Sequence, residues 1–108
     1  VSFSSVEILT NKTTTGAGNK FTPRYVKRSF QAYGTTSSGS GSVSIKIEAS
    51  NIAIPDETDW IELGTIYLTL GTTRTTDGFT TDAPWRHVRG NVTSISGTGA
   101  SVSATMGG

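Results

Sequence analysis

The chain has no cysteine, one histidine, one methionine and three prolines in 108 residues. Without cysteine there is no disulfide framework and no thiolate metal site. With one histidine, no cluster of imidazoles can hold a transition metal. No apolar run approaches the ~18 residues of a membrane span, so no membrane partner is expected. Net charge is +1, which leaves no bulk electrostatic footprint for nucleic acid, so no nucleic-acid partner is expected either. The opening, Val1-Ser2-Phe3-Ser4-Ser5, lacks the basic-then-apolar layout of a secretion signal.

What is present is small and polar. Serine and threonine make up roughly a third of the residues, glycine contributes 13, and hydrophobic residues account for 33%. Threonine suits a half-exposed pleated surface and glycine suits tight turns. Strong helix formers are scarce. This composition predicts an all-β chain with a thin core and many turns.

The clearest strand is Ser42 to Ser50. Val43, Ile45, Ile47 and Ala49 alternate with Ser44, Lys46 and Glu48, which marks one buried and one wet face. Ala100, Val102, Ala104 and Met106 alternate in the same way against Ser101, Ser103 and Thr105. Phe3 to Thr10, Tyr25 to Tyr33 and Trp85 to Val92 read as further strands, the last with Val88 and Val92 inward. In Tyr25 to Tyr33, Val26, Phe30 and Ala32 share the inner face, and Arg28 falls among them, near a strand end. From Trp60 to Leu70 the pattern slips: Ile61 and Leu63 are in one phase, Ile66, Leu68 and Leu70 in the other. A regular strand cannot bury both sets, so a bulge or bend is expected at Gly64.

Asn11 to Lys20 and Gly71 to Gly78 read as polar loops. Gly34 to Gly41 reads as a hairpin or a crossing between sheets, and Gly97-Thr98-Gly99 as the turn of a final hairpin. The sum is an antiparallel β-sandwich of seven or eight short strands, jelly-roll or Greek-key in order. It occupies 1–108 as one domain, with 1–24 read as an extended arm plus the first strand.

Nothing in the chain composes a bond-breaking site. His87 lies in Trp85-Arg86-His87-Val88-Arg89, and no serine sits in a Gly-x-Ser-x-Gly elbow. His87 is therefore expected to face solvent from a strand. Asp56, Glu57 and Asp59 lack the spacing and glycine of a calcium loop and are expected in a solvated loop, capping one helical turn after Pro55. Glu48 and Glu62 fall on neighbouring strands but do not define a groove. No catalytic residue, metal site or cofactor is expected.

Charge is unevenly placed. Lys12, Lys20, Arg24, Lys27 and Arg28 lie together without an acid, and Glu48, Asp56, Glu57, Asp59 and Glu62 lie together without a base. Either the two runs dock between copies, or folding brings them together as ordinary surface pairs. Tyr25, Tyr33 and Tyr67 hold the polar phase of their strands. Trp60 and Trp85 stand at strand starts, as core plugs or as aromatic platforms.

The run Trp60-Ile61-Glu62-Leu63-Gly64-Thr65-Ile66 carries a family likeness, with Asp77-Gly78-Phe79, Asp82-Ala83-Pro84-Trp85, Val88-Arg89 and Gly97-Thr98-Gly99-Ala100. It resembles small all-β virion proteins of tailed bacteriophages, of the kind that decorate or cement capsids. The likeness covers the second half of the chain, including Ile47-Glu48-Ala49-Ser50-Asn51. It implies a non-enzymatic structural subunit on the capsid surface, partnered by the major capsid protein and by copies of itself in a homo-oligomer. Arg24, Tyr25, Lys27, Arg28 and Tyr33, with the apolar loop residues Ile52 and Ile54, are the expected contact residues. A tail or neck position is an alternative. A second likeness, to discoidin-type carbohydrate-binding jelly rolls, rests on Ser50-Asn51, Trp60 and Val88-Arg89. It would use Trp60 or Trp85 to stack on sugar. The chain departs from that pattern at Ile52-Ala53-Ile54-Pro55-Asp56, where a tight Asp-Gly turn belongs.

Overall fold

Side chains that alternate in and out along a strand need a second sheet to cover the inner set, and two sheets are what forms. The computed structural model describes residues 5–18, 20–21, 27–82 and 85–107. Among these residues eight strands run in order: β1 (Ser5–Lys12), β2 (Gly16–Ala17), β3 (Lys27–Thr35), β4 (Ser38–Ser50), β5 (Ile61–Leu70), β6 (Thr75–Asp82), β7 (His87–Thr98) and β8 (Ser101–Gly107). One 3₁₀ turn, Glu57–Asp59, lies between β4 and β5. Sheet A has the order β1-β8-β3-β6 and sheet B the order β2-β7-β4-β5. Every pairing is antiparallel. The molecule is a slab of 40 × 36 × 17 Å.

The inner faces are those the alternation marks. Val43, Ile45, Ile47 and Ala49 of β4 are buried, as are Val102, Ala104 and Met106 of β8, Phe30 and Ala32 of β3, and Val88 and Val92 of β7. They form one continuous core, with Phe21, Leu63, Phe79, Trp85 and Ile95 packed at its margin. Burying one such aliphatic or aromatic side chain contributes about 1.5–3 kcal/mol relative to leaving it exposed. Val26 lies outside the described residues, as does the side chain of Arg28.

The phase slip in β5 is a bulge. Ile47 faces Gly64 and Glu48 faces Glu62, so Leu63 is the extra residue. Past it, Ile66, Leu68 and Leu70 turn inward, while Ile61 is left half exposed. Gly64 also makes room for a ring from the other sheet. A Cβ there would lie 2.7 Å from Cζ of Phe79, and Phe79 in turn packs on Phe30 with ring centroids 5.3 Å apart.

Three expectations need correction. The Gly97-Thr98-Gly99 turn does not close a hairpin within a sheet: β7 belongs to sheet B and β8 to sheet A. The turn carries the chain across the sandwich, using positive φ at Gly97 (123°) and Gly99 (64°), where a Cβ is disfavoured. Secondly, the 71–78 stretch is not all loop. β6 begins at Thr75 because Thr75, Thr76 and Asp77 pair with Gly34, Tyr33 and Ala32 of β3. Thirdly, the 11–20 stretch contributes β2, where Gly16 and Ala17 pair with Val92 and Asn91, and Phe21 makes a further bridge to Val88. β1, β2 and Phe21 thus lace the N-terminal part of the chain into both sheets.

Gly64→Ala forces the new methyl against the Phe79 ring. Overpacking of this kind costs about 1–3 kcal/mol. Urea unfolding should give a lower midpoint with an unchanged slope, and Phe79→Leu in the same background should recover part of the loss.

Candidate functional site

The outer face of a sheet is wet unless something lies over it. At one end of sheet B something does. The 51–60 connection between β4 and β5 folds back over that end. Asp56 and Asp59 build its turn: the Asp59 N–H donates to the Asp56 carbonyl at 3.0 Å, and the Asp56 N–H donates to Asp59 Oδ2 at 2.8 Å. The Arg86 N–H donates to Asn51 Oδ1 at 2.9 Å, and Lys20 Nζ donates to the Ala53 carbonyl at 3.4 Å.

Arg89 of β7 is the centre of this region. Its cross-strand partner is Glu48 of β4. Arg89 Nε donates to Glu48 Oε1 at 2.9 Å, and its two terminal nitrogens donate to the carboxylate of Glu57 at 3.3 and 3.0 Å. The side chains of Arg89 and Glu48 are only 8% and 10% exposed, while Glu57 is 84% exposed. Trp60 closes the cluster from above, its ring centroid 4.3 Å from the Arg89 guanidinium carbon. Burial alone lowers the pKa of Arg89; its hydrogen bonds with Glu57 and Glu48, and their charges, outweigh that and carry it upward. The hydrogen bond from Arg89, and then its charge, hold the Glu57 carboxyl below the usual carboxylate range.

This arrangement clamps the 51–60 connection to sheet B. One guanidinium is shared by two carboxylates and capped by an indole. Glu62, which pairs with Glu48 across the strands, accepts a hydrogen bond from Thr65. Among the described residues no group of three or more His, Asp or Glu is placed to hold a metal ion.

The expected site residues are divided between faces. Tyr33 lies on the outer face of sheet A, with the Arg74 guanidinium carbon 4.5 Å from its ring centroid. The backbones of Lys27 and Arg28 pair with Asp82 and Thr81 in the same sheet, and their side chains lie outside the described set. Arg24 and Tyr25 lie outside the described residues altogether. Ile52 and Ile54 sit on the 51–60 connection of sheet B and are 50% and 85% exposed. Ile61, half exposed at the start of β5, pairs with the inward-facing Ala49; the bulge brings it into phase with Ile66, and it is left exposed at the end of the sheet.

Trp60 has Arg89 against one face, and Trp85 is partly buried against the core. His87 is not solvent-facing as expected: it is 6% exposed. It occupies the outward phase of β7 opposite Ser50, and both are buried there. Arg89 and Arg74 were not singled out from the sequence. Only the outward phase that Arg89 shares with Glu48 on a neighbouring strand pointed to such a pair.

Scans against protein-family models and against curated proteins give no match. Among solved structures the fold has a counterpart. It is similar to the SPBc2 prophage-derived protein YomS. The TM-score is 0.57 at 19% identity, over 97% of this chain and 91% of that one. The likeness spans both sheets and speaks to the fold.

Removing one member of a buried ion pair leaves the other uncompensated, at about 3–5 kcal/mol. Arg89→Met should therefore lower unfolding stability by that order, and adding Glu48→Leu should recover most of it. The acid limb gives a second test. The Glu57 pKa is lower in the folded than in the unfolded chain. Its pairing therefore stabilises the fold above the unfolded value, about 4.3, and is lost as pH falls through the folded value. Glu57→Gln should lower stability near neutrality and make the fall with acid shallower, as read by urea unfolding across that range.

Proposed function

We propose that this protein is a non-catalytic structural subunit of a phage particle, a capsid cement or decoration protein that works through its surface. The observation that carries the phage part is the likeness in shape, over nearly the whole of both chains, to a prophage-derived protein. The sandwich is read as a jelly roll: the orders β1-β8-β3-β6 and β2-β7-β4-β5 interleave the early and late strands as two Greek keys do. The structural role is supported by a thin slab with a continuous core, whose ionic cluster is spent internally on Arg89.

The contact surface on this reading includes Ile52, Ile54 and Ile61, which expose apolar area together at one end of β4 and β5. Such patches mark protein contacts more often than single exposed residues do. Copies of the subunit would bury this margin against the major capsid protein. Each contact is modest, but many act at once. Because the subunit binds the assembled shell and not its parts, binding stabilises the shell by mass action.

The test is occupancy on decoration-free shells. An isoleucine side chain contributes about 1.5–3 kcal/mol on full burial, and each ~1.4 kcal/mol is tenfold in affinity. Ile52→Asp with Ile54→Asp should reduce occupancy at least tenfold, leaving the thermal midpoint of the free subunit unchanged. Unchanged occupancy, or cryo-electron microscopy placing a few copies at the tail alone, would defeat the cement reading.

A further inference from the structure

On the opposite sheet lies a cavity of about 140 Å³, lined by Asn11, Tyr33, Thr35, Arg74, Ser101 and Ser103. It has no part in the ionic cluster or in the isoleucine margin. Tyr33, Thr35, Ser101 and Ser103 come from the paired outer faces of β3 and β8, where Tyr33 faces Ser103 and Thr35 faces Ser101. Arg74 enters from the connection that precedes β6, and Asn11 from a bulge in β1.

The bulge is built into the edge of the cavity. Leu9 faces Ala104 and Lys12 faces Val102, so β1 carries an extra residue between them. Asn11 adopts φ of 45°, in the left-handed region that asparagine enters more readily than most residues. Ser103, 3% exposed, locks it there. Ser103 Oγ accepts from the Asn11 N–H at 3.0 Å and donates to Asn11 Oδ1 at 3.4 Å. The Asn11 carbonyl oxygen is thereby occupied, and its amide group is left with two donors. Bulges of this type re-aim a side chain.

The donors outnumber the acceptors. Among the described residues, the Asn11 amide nitrogen makes no hydrogen bond and Arg74 makes no ion pair. The stacking of Arg74 on Tyr33 uses the charge and none of the N–H groups. No carboxylate lines the cavity. The remaining polar groups are the hydroxyls of Tyr33, Thr35 and Ser101, which donate or accept.

We propose that this cavity is a binding site for one carboxylate group, held by the Arg74 guanidinium and the Asn11 amide, with the hydroxyls completing its shell. One guanidinium matches a carboxylate in charge and in its two-oxygen geometry. A phosphate, with nearly twice the charge, would be left half compensated. The volume is enough for a small acid or the end of an acidic side chain. The site is independent of the virion reading.

The probe is sodium acetate, titrated into the ¹⁵N-labelled full chain at constant ionic strength with sodium chloride as reference. The expected result is a saturable shift of the amides of Asn11, Gly34, Thr35, Ser101 and Ser103, with a dissociation constant in the millimolar range. Arg74→Gln should weaken it at least tenfold, while Arg86→Gln, at an exposed arginine on the other sheet, should leave it unchanged. Asn11→Gly, which tolerates the same backbone angle, should keep the fold and weaken binding. A blocked Gly-Gly-Asp-Gly-Gly peptide separates the sources: acetate alone binding identifies a free small acid, and both binding identifies a protruding acidic side chain. Non-saturating shifts, shifts indifferent to Arg74→Gln, or phosphate binding as tightly as acetate would overturn the proposal.

Discussion

The inner face of β4 sets most of the structure. Val43, Ile45, Ile47 and Ala49 are essentially without exposure, and their strand is central in its sheet, between β7 and β5. A strand so placed has its backbone groups satisfied on both sides and its apolar side chains on one. Only a second sheet can cover them. That sheet must supply a matching inner face, and Val102, Ala104 and Met106 of β8 with Phe30 and Ala32 of β3 provide it. With hydrophobic residues at 33%, little apolar surface is left over. The thin slab follows from that scarcity.

The connectivity follows from the same demand. β4 and β5 are consecutive neighbours in one sheet, while the other connections among the described strands cross between sheets. Most pairings therefore join residues far apart in sequence. Such a chain gains little from local structure until the two faces meet, so its stability is shared across the sandwich rather than held in separable hairpins. The edge strands carry the matching precaution: β6 presents threonines and Asp77, and the β1 edge is broken by two register shifts. Charge and irregularity of that kind discourage pairing with another chain.

What was legible in the sequence is what depends on a two-residue period. The faces of β4 and β8 and the slip at Gly64 are local patterns, and the structure carries them as drawn. What was not legible depends on partners remote in sequence. His87 was read as wet because its strand phase points outward, yet it is buried, and a strand's own pattern does not record what covers its outer face. β2 and the first half of β6 are polar and lack alternation, and they are strands because Val92 and Asn91, or Gly34 and Tyr33, offer free backbone groups beside them. Arg89 and Arg74 carry no motif. Each acquires meaning from an aromatic ring, Trp60 or Tyr33, that folding delivers to it.

The two charge runs show how placement along the chain differs from placement in space. An acidic run exposed as a block would attract a basic patch on a neighbour. Here its members are engaged at home: Glu48 and Glu57 on Arg89, Asp59 on the Asp56 backbone, Glu62 with Thr65. Lys20, from the basic run, reaches the Ala53 carbonyl in the middle of the acidic one. The acidic run is thus partly engaged within the molecule, its cation being Arg89 from outside the basic run. Among the described residues, two surface features stand outside that network. On sheet B there is the apolar margin at Ile52, Ile54 and Ile61, and on sheet A the donor-rich hollow beneath Arg74.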